Sequence, residues 1–246
     1  MDSSPSSTAA PWRSGLRGAR ANLWPGLALQ LAALALVLGY YDEPGIHGVL
    51  TRLMEIRQAA GLAYGIASTA LFAGILPFFY LRLESIIAGK SQRYDWNQGL
   101  KLIAFWAYKG LEIDLWYRLQ AHWFGTGHSA STIALKAFCD QFVYCPIFAV
   151  PLTAAVYQAV CDRTGFFANI RAPGWYRDRA LPILISNLGV WVPAVAIIFA
   201  LPTPLQLPLQ NIVICFYTLI LAHQTRPVSI PASSPAILQG AGAARQ

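Results

Sequence analysis

Residues 134–148 read ALKAFCDQFVYCPIF, an apolar and aromatic run that nevertheless carries Lys136, Asp140 and Gln141. On a helix, residues four apart stack on one face, so Lys136 and Asp140 are expected to pair, with Gln141 about 100° round the axis beside them. Pro146 follows; it lacks a backbone donor and is expected to leave the carbonyl of Phe142 free at membrane depth. The apolar run continues on both sides to fill 132–160, longer than the roughly 20 residues a helix needs to cross the hydrocarbon core. The stretch therefore reads as a membrane helix with a polar knot in it.

The rest of the chain supports that reading. Of 246 residues, 56% are hydrophobic and only 12% charged, with a mean hydropathy of +0.45. Soluble globular chains carry about 25% charged residues, and so few charges could not cover a water-exposed surface of this size. Apolar segments lie at 24–41, 58–81, 99–121, 132–160, 180–201 and 205–223. The expected fold is all-α, a polytopic transmembrane bundle of about six segments, with kinks at Pro77, Pro146, Pro151 and Pro193. A disordered basic arm is expected over 1–23, a transmembrane helical domain over 24–223 and a disordered tail over 224–246. No small-residue cleavage site follows the first apolar run, which continues as GYYDEPG, so it reads as an uncleaved helix rather than a signal peptide.

Twelve of the 18 lysines and arginines fall on one side of a six-span alternation: Arg13, Arg17, Arg20, Arg82, Lys90, Arg93, Arg163, Arg171, Arg177, Arg179, Arg226 and Arg245. Only Arg52 and Arg57 fall in a connection on the other side. Basic residues are retained in cytoplasmic loops, so an integral, multi-pass protein with both termini cytoplasmic is expected. Organelle and bacterial inner membranes both fit. The basic residues are dispersed and form no groove-reading motif, which points to lipid and not nucleic acid as the anionic neighbour.

The third segment, KLIAFWAYKGLEIDLWYRLQAHW, holds five ionisable residues. Lys101, Lys109 and Glu112 fall within about 80° of one another on a helix, with Asp114 and Arg118 on the other side. Lys109 with Glu112 is an i,i+3 pair and Asp114 with Arg118 an i,i+4 pair. Unpaired charges near the bilayer centre cost about 2.5–3.5 kcal/mol each on insertion scales, so this helix is expected to face protein or a wet cavity. Two uses of such charges stay open: holding helices together, or lining a solute path. Enzymatic signatures are absent. His47, His122, His128 and His223 are scattered, and the six-residue spacing in HWFGTGH matches no metal motif. Cys139, Cys145, Cys161 and Cys215 show no CxxC spacing. No cofactor, catalytic residue or metal ligand is expected; a membrane-embedded enzyme using His122 or His128 is the weakest reading.

Three patches carry a family resemblance. KAFCDQFVYCP matches K-x-x-x-D-Q-x-x-x-x-P through Lys136, Asp140, Gln141 and Pro146. GLEIDLWYRLQ is similar to G-P-x-x-H-x-W-Y, keeping Gly110, Trp116 and Tyr117 but with Leu111 and Asp114 in place of the proline and histidine. NLGVWVPAVAIIFALP is similar to N-x-x-x-W-P-x-x-Q-x-x-N-F-x-x-V-P, keeping Asn187, Trp191 and Phe199, with the proline moved to Pro193 and the polar pair replaced by Val195 and Ile198. Together these resemble the Mpv-17 and peroxisomal membrane protein family, over about residues 60–223. The resemblance implies a four-helix membrane core, to which the segment at 24–41 is an addition, and a role in pore-like conductance or solute homeostasis across organelle membranes. The expected function is an integral membrane protein that forms or modulates a weakly selective solute or ion pathway. The alternative is a scaffold without transport, whose polar residues only lock helices. Lys136, Asp140, Gln141, Lys109, Glu112 and Asp114 are the candidate pore or lock residues. Membrane lipid, small solutes or ions and further copies of the chain are the expected partners.

Overall fold

In the computed structural model, residues 11–21, 23–89, 91–92, 94–161 and 170–224 are described, and their regular structure is entirely helical. The helices are α1 Pro11–Ala21, α2 Leu23–Asp42, α3 Pro44–Ala60, α4 Leu62–Ile87, α5 Trp96–Phe124, α6 Ala130–Val160, α7 Tyr176–Phe199 and α8 Thr203–Gln224. Local sequence sets several boundaries. Pro44 occupies the first turn of α3, where a missing donor costs nothing. Gly61, at φ +56, breaks the chain between α3 and α4 in a conformation that side chains resist. The start of α5 is a capping box: the Gln98 backbone N–H donates to Asp95 Oδ1 at 2.7 Å, and the Asp95 N–H to Gln98 Oε1 at 2.9 Å. Ser129 caps α6 through the Thr132 N–H.

Four helices are long and apolar enough to cross a membrane: α2, α4, α6 and α7. Large apolar side chains remain exposed along them, Leu31 and Leu38 on α2, Leu83 and Ile87 on α4, Phe138 and Ile147 on α6; this is the surface expected of helices solvated by acyl chains. The six expected segments are thus matched by four on length and composition. At 29 residues α5 has the length but carries the five charges, and α8 has 22 residues.

Several of the prolines stand at a change of helical register. Three stretches widen to π geometry: Ala70–Ile75, directly before Leu76–Pro77; Cys139–Ala149, around Pro146; and Tyr176–Ala180, directly before Leu181–Pro182. In this register a carbonyl takes the N–H five residues on, as Cys145 O does from Val150 and Tyr176 O from Leu181. A π register pairs a carbonyl with the N–H five residues on, so at Phe142 the donor it calls for is that of residue 147 and not the one Pro146 lacks.

Two further expectations are corrected. Within the arm 1–23, residues 11–21 form α1, because Gly15, Gly18 and Ala19 give it a flat side on which Pro182, Ile185, Ser186 and Gly189 of α7 pack in near-backbone contact. Residues 1–10 of the arm, and the tail from 225, lie outside the described residues, as do Lys90, Arg93, Arg163, Arg226 and Arg245. The connection expected to place Arg57 in a loop is the helix α3, amphipathic through Ile46, Leu50 and Leu53, and it turns Arg57 inward.

Hydrogen bonds define two ends of the bundle. At one, Gln98 Nε2 of α5 donates to Val160 O of α6. At the other, the Tyr41 hydroxyl of α2 donates to Ala200 O after α7, and an Arg57 guanidinium N–H to Thr203 O of α8. The core is centred on the α7–α8 corner, where Ile198, Phe199, Leu201, Leu205, Leu207 and Val213 are almost wholly buried.

Candidate functional site

The axis of the site is α5, which is in backbone contact with α4. A Cβ added to Gly110 would collide with the Gly65 carbonyl, and one added to Gly65 would lie 2.9 Å from the Gly110 oxygen. Small residues let membrane helices approach this closely. The contact fixes the rotation of α5, and with it the direction in which its charges point.

One face of α5 meets α6. Lys109 donates to Glu112, the i,i+3 pair expected from sequence, and the Tyr144 hydroxyl of α6 donates to the same Glu112 Oε1. Lys109 also reaches the Tyr144 oxygen at 3.3 Å. The Tyr144 ring lies flat on Trp116, with centroids 4.5 Å apart and planes 16° from parallel. The Trp116 indole N–H then donates to Asp140 Oδ1 at 2.8 Å, while Gln141 Nε2 donates to Asp140 Oδ2 at 2.6 Å. Lys109, Glu112, Tyr144, Trp116, Asp140 and Gln141 therefore form one continuous polar and aromatic seam between α5 and α6.

Lys136 does not pair with Asp140. The π turns that begin at Cys139 alter the angular step after Lys136, and Asp140 is taken by Trp116 and Gln141 instead. The Lys136 stem is covered, and its ammonium lies 6.0 Å from the centroid of the Phe199 ring, a cation–π contact. Phe199 in turn meets Tyr117 edge-on at 5.4 Å, and the Tyr117 hydroxyl donates to Gln210 Oε1 of α8. Conversely, Gln120 is wholly buried beside Asp140, whose carboxylate its side chain favours as a weak hydrogen-bonding neighbour, while neither amide atom reaches full hydrogen-bond geometry with any group. Gln141 Oε1 and Glu112 Oε2 are likewise buried and unbonded.

The opposite face of α5 meets α3 and α8. Asp114, fully buried, is gripped by Arg57 of α3 through Oδ1 and by Arg118 through Oδ2 at 3.1 Å, the latter being the expected i,i+4 pair. Arg57 continues to Thr203 O at 2.6 Å, so one guanidinium ties three helices together. A third polar cluster joins α4 to α8: the Thr69 hydroxyl donates to Asn211 Oδ1, and Asn211 Nδ2 to Ser68 Oγ, both at 2.8 Å.

Of the candidate residues, Lys109, Glu112, Asp140 and Gln141 share the seam, together with Trp116; Asp114 belongs to the Arg57 cluster on the other face. Gly110 is the contact with α4, and Pro146 lies in the π stretch, where its carbonyl accepts from the Tyr176 hydroxyl at 2.9 Å. Trp191 is a core residue packed edge-on against Tyr217. Asn187, half-buried on the first half of α7, joins none of these three clusters. Lys101 is exposed. Sequence reasoning missed Arg57, Gln120, Tyr144, Gln210 and Asn211. A signal existed for two of them: Arg57 continues the Ile46, Leu50, Leu53 face of α3, and Gln120 lies one turn after Trp116 on α5. No group of three or more metal-ligating side chains occurs among the described residues. No family model, curated protein or solved structure matches the chain.

Proposed function

We propose that the chain is an integral membrane protein of the Mpv-17-like type, and that the α5–α6 seam is a weakly selective solute or ion pathway held closed by its own side chains. In this reading six helices cross, the four apolar ones with α5 and α8, and the arginine-rich connections face the cytoplasm. The motif resemblance through Lys136, Asp140, Gln141 and Pro146 supports the type. The observation that carries the pathway is Gln120, wholly buried beside the Asp140 carboxylate with neither amide atom in full hydrogen-bond geometry. An unbonded buried polar group costs about 1–3 kcal/mol. A device that only locks helices gains nothing from such a group, whereas a seam that receives water or a polar solute uses it as a spare donor and acceptor.

Gln120→Leu separates this reading from its rival. Liposomes containing the full chain should take up glycerol, or K+ in the presence of a membrane potential, faster than empty ones. The variant should lose about tenfold of that flux, the equivalent of one lost hydrogen bond at a constriction, while its thermal midpoint in detergent stays level or rises. Asp140→Asn should shift the cation-to-anion preference of the remaining current. Wild-type flux equal to that of empty vesicles, or undiminished flux in Gln120→Leu, overturns the pathway. The scaffold reading is favoured by a different observation, the direct interhelical bonds Arg57–Asp114 and Trp116–Asp140; it requires that Asp140→Asn lower the thermal midpoint with no flux in any variant.

A further inference from the structure

The short helix before the first apolar span has a face that the seam does not use. Arg13, Arg17 and Arg20 recur at i, i+4 and i+7 on α1, so they share one side, and all three are exposed. No acidic partner pairs with any of them among the described residues, and the sequence holds no acid between residues 3 and 41. The nearest acid on the neighbouring stretch of α7, Asp178, is already bonded by Arg177 at 2.9 Å. Beside the arginines, Trp12 and Leu16 are 48% and 42% exposed, large apolar side chains that packing has not covered. These five residues line one open groove of about 430 Å³. The opposite side of α1 is held against α7 through Gly15 and Gly18. Immediately after α1, the apolar run of α2 begins at Leu23.

We propose that this groove is a docking site for the headgroup of an anionic phospholipid. Guanidinium groups form paired charge-assisted hydrogen bonds with phosphate, Trp and Leu favour the boundary between headgroup and acyl chain, and α1 runs directly into a membrane-length helix that begins at Leu23, so the groove lies on the side from which that span starts. A free phosphate would satisfy the arginines and leave Trp12 and Leu16 uncovered; an acidic protein or nucleic acid would not explain a groove that opens at the start of a span. The lipid is the one occupant that uses both halves. This assignment is independent of the pathway proposal.

The test uses the purified full chain in neutral detergent, titrated with dihexanoyl phosphatidylglycerol, dihexanoyl phosphatidylcholine and inorganic phosphate and followed by thermophoresis. Phosphatidylglycerol is expected to bind at least an order of magnitude more tightly than the other two. Basic groups at a membrane surface contribute about fivefold each, so R13Q/R17Q/R20Q should lose on the order of a hundredfold in affinity. Lys101→Gln, which removes an exposed charge elsewhere, should lose none. The single substitution Arg17→Gln, with a roughly fivefold loss, serves if the triple variant does not fold. Equal affinity for phosphatidylcholine, phosphate binding as tight as the lipid, or unchanged binding after Arg17→Gln overturns the proposal.

Discussion

Arg57→Leu is expected to destabilise the protein by about 3 kcal/mol, measured as the loss of unfolding free energy in a denaturing-detergent titration. The substitution removes the guanidinium from a carboxylate that is fully buried, leaving Asp114 to Arg118 alone, and Arg118 is half-exposed. A partly solvated partner is screened and ordered at an entropic cost, so it does not replace a buried one. The Thr203 carbonyl loses its donor in the same step. The pair is separable from its energetics by a cycle. With Asp114→Leu also in place, no charge is left stranded, and most of the stability should return, because replacing a whole buried ion pair by apolar residues is close to neutral. A double variant as unstable as the Arg57→Leu single would show that the loss came from packing of α3 rather than from the stranded carboxylate.

Gly110→Val is expected to abolish folding, and Gly110→Ala to cost at least about 3 kcal/mol. Inserting one methylene into a packed core typically costs about 1–3 kcal/mol when neighbours can shift. Here the obstacle is the Gly65 carbonyl, whose oxygen overlaps the new Cβ and whose carbon lies 2.7 Å from it. Backbone cannot rotate aside as a side chain does, so α4 and α5 must separate along their length. That separation would also disturb the Ser68–Thr69–Asn211 cluster by which α4 is tied to α8. Gly48→Ala provides the contrast: nothing lies within 4 Å of where its Cβ would sit on α3, and a helical Gly→Ala change there should stabilise by about 0.5–1 kcal/mol. Thermal midpoints of the three variants in one detergent decide the matter; a tolerated Gly110→Val would mean that the α4–α5 contact is not a constraint on the fold.

The all-helical architecture is readable in the sequence because lipid-facing helices have to be apolar over a membrane-length run, and 132–160 and 180–201 state that plainly. The two ion pairs within α5 are readable for a similar reason, since i,i+3 and i,i+4 spacing is local geometry. What crosses between helices is not. Arg57 has the appearance of a loop residue because its helix is short and amphipathic rather than apolar, and its partner is 57 positions away. In sequence Tyr144 is one aromatic among many; only its flat stacking on Trp116 sets it apart. The Lys136–Asp140 pair fails on a local assumption, that an α-helical step of about 100° holds through the stretch. Pro146 breaks that step by favouring π turns, and sequence spacing alone does not distinguish the two registers. Gln120 escapes a search for charges because an amide carries none, although a buried amide set against a buried carboxylate is as informative as a buried ion.

A π turn is an α-helix carrying a surplus residue, so Cys139–Ala149 behaves as an insertion stored within a continuous helix. Removing one residue between Lys136 and Pro146 would draw the segment toward α winding, which takes up the deletion by changing which side chains within the stretch face α5. Tyr144, which has to lie over Trp116, and Asp140, which has to reach the same indole, are held to a shared rotational phase by that stored residue. The stretch should therefore tolerate exchange of its apolar side chains far better than any change in its length.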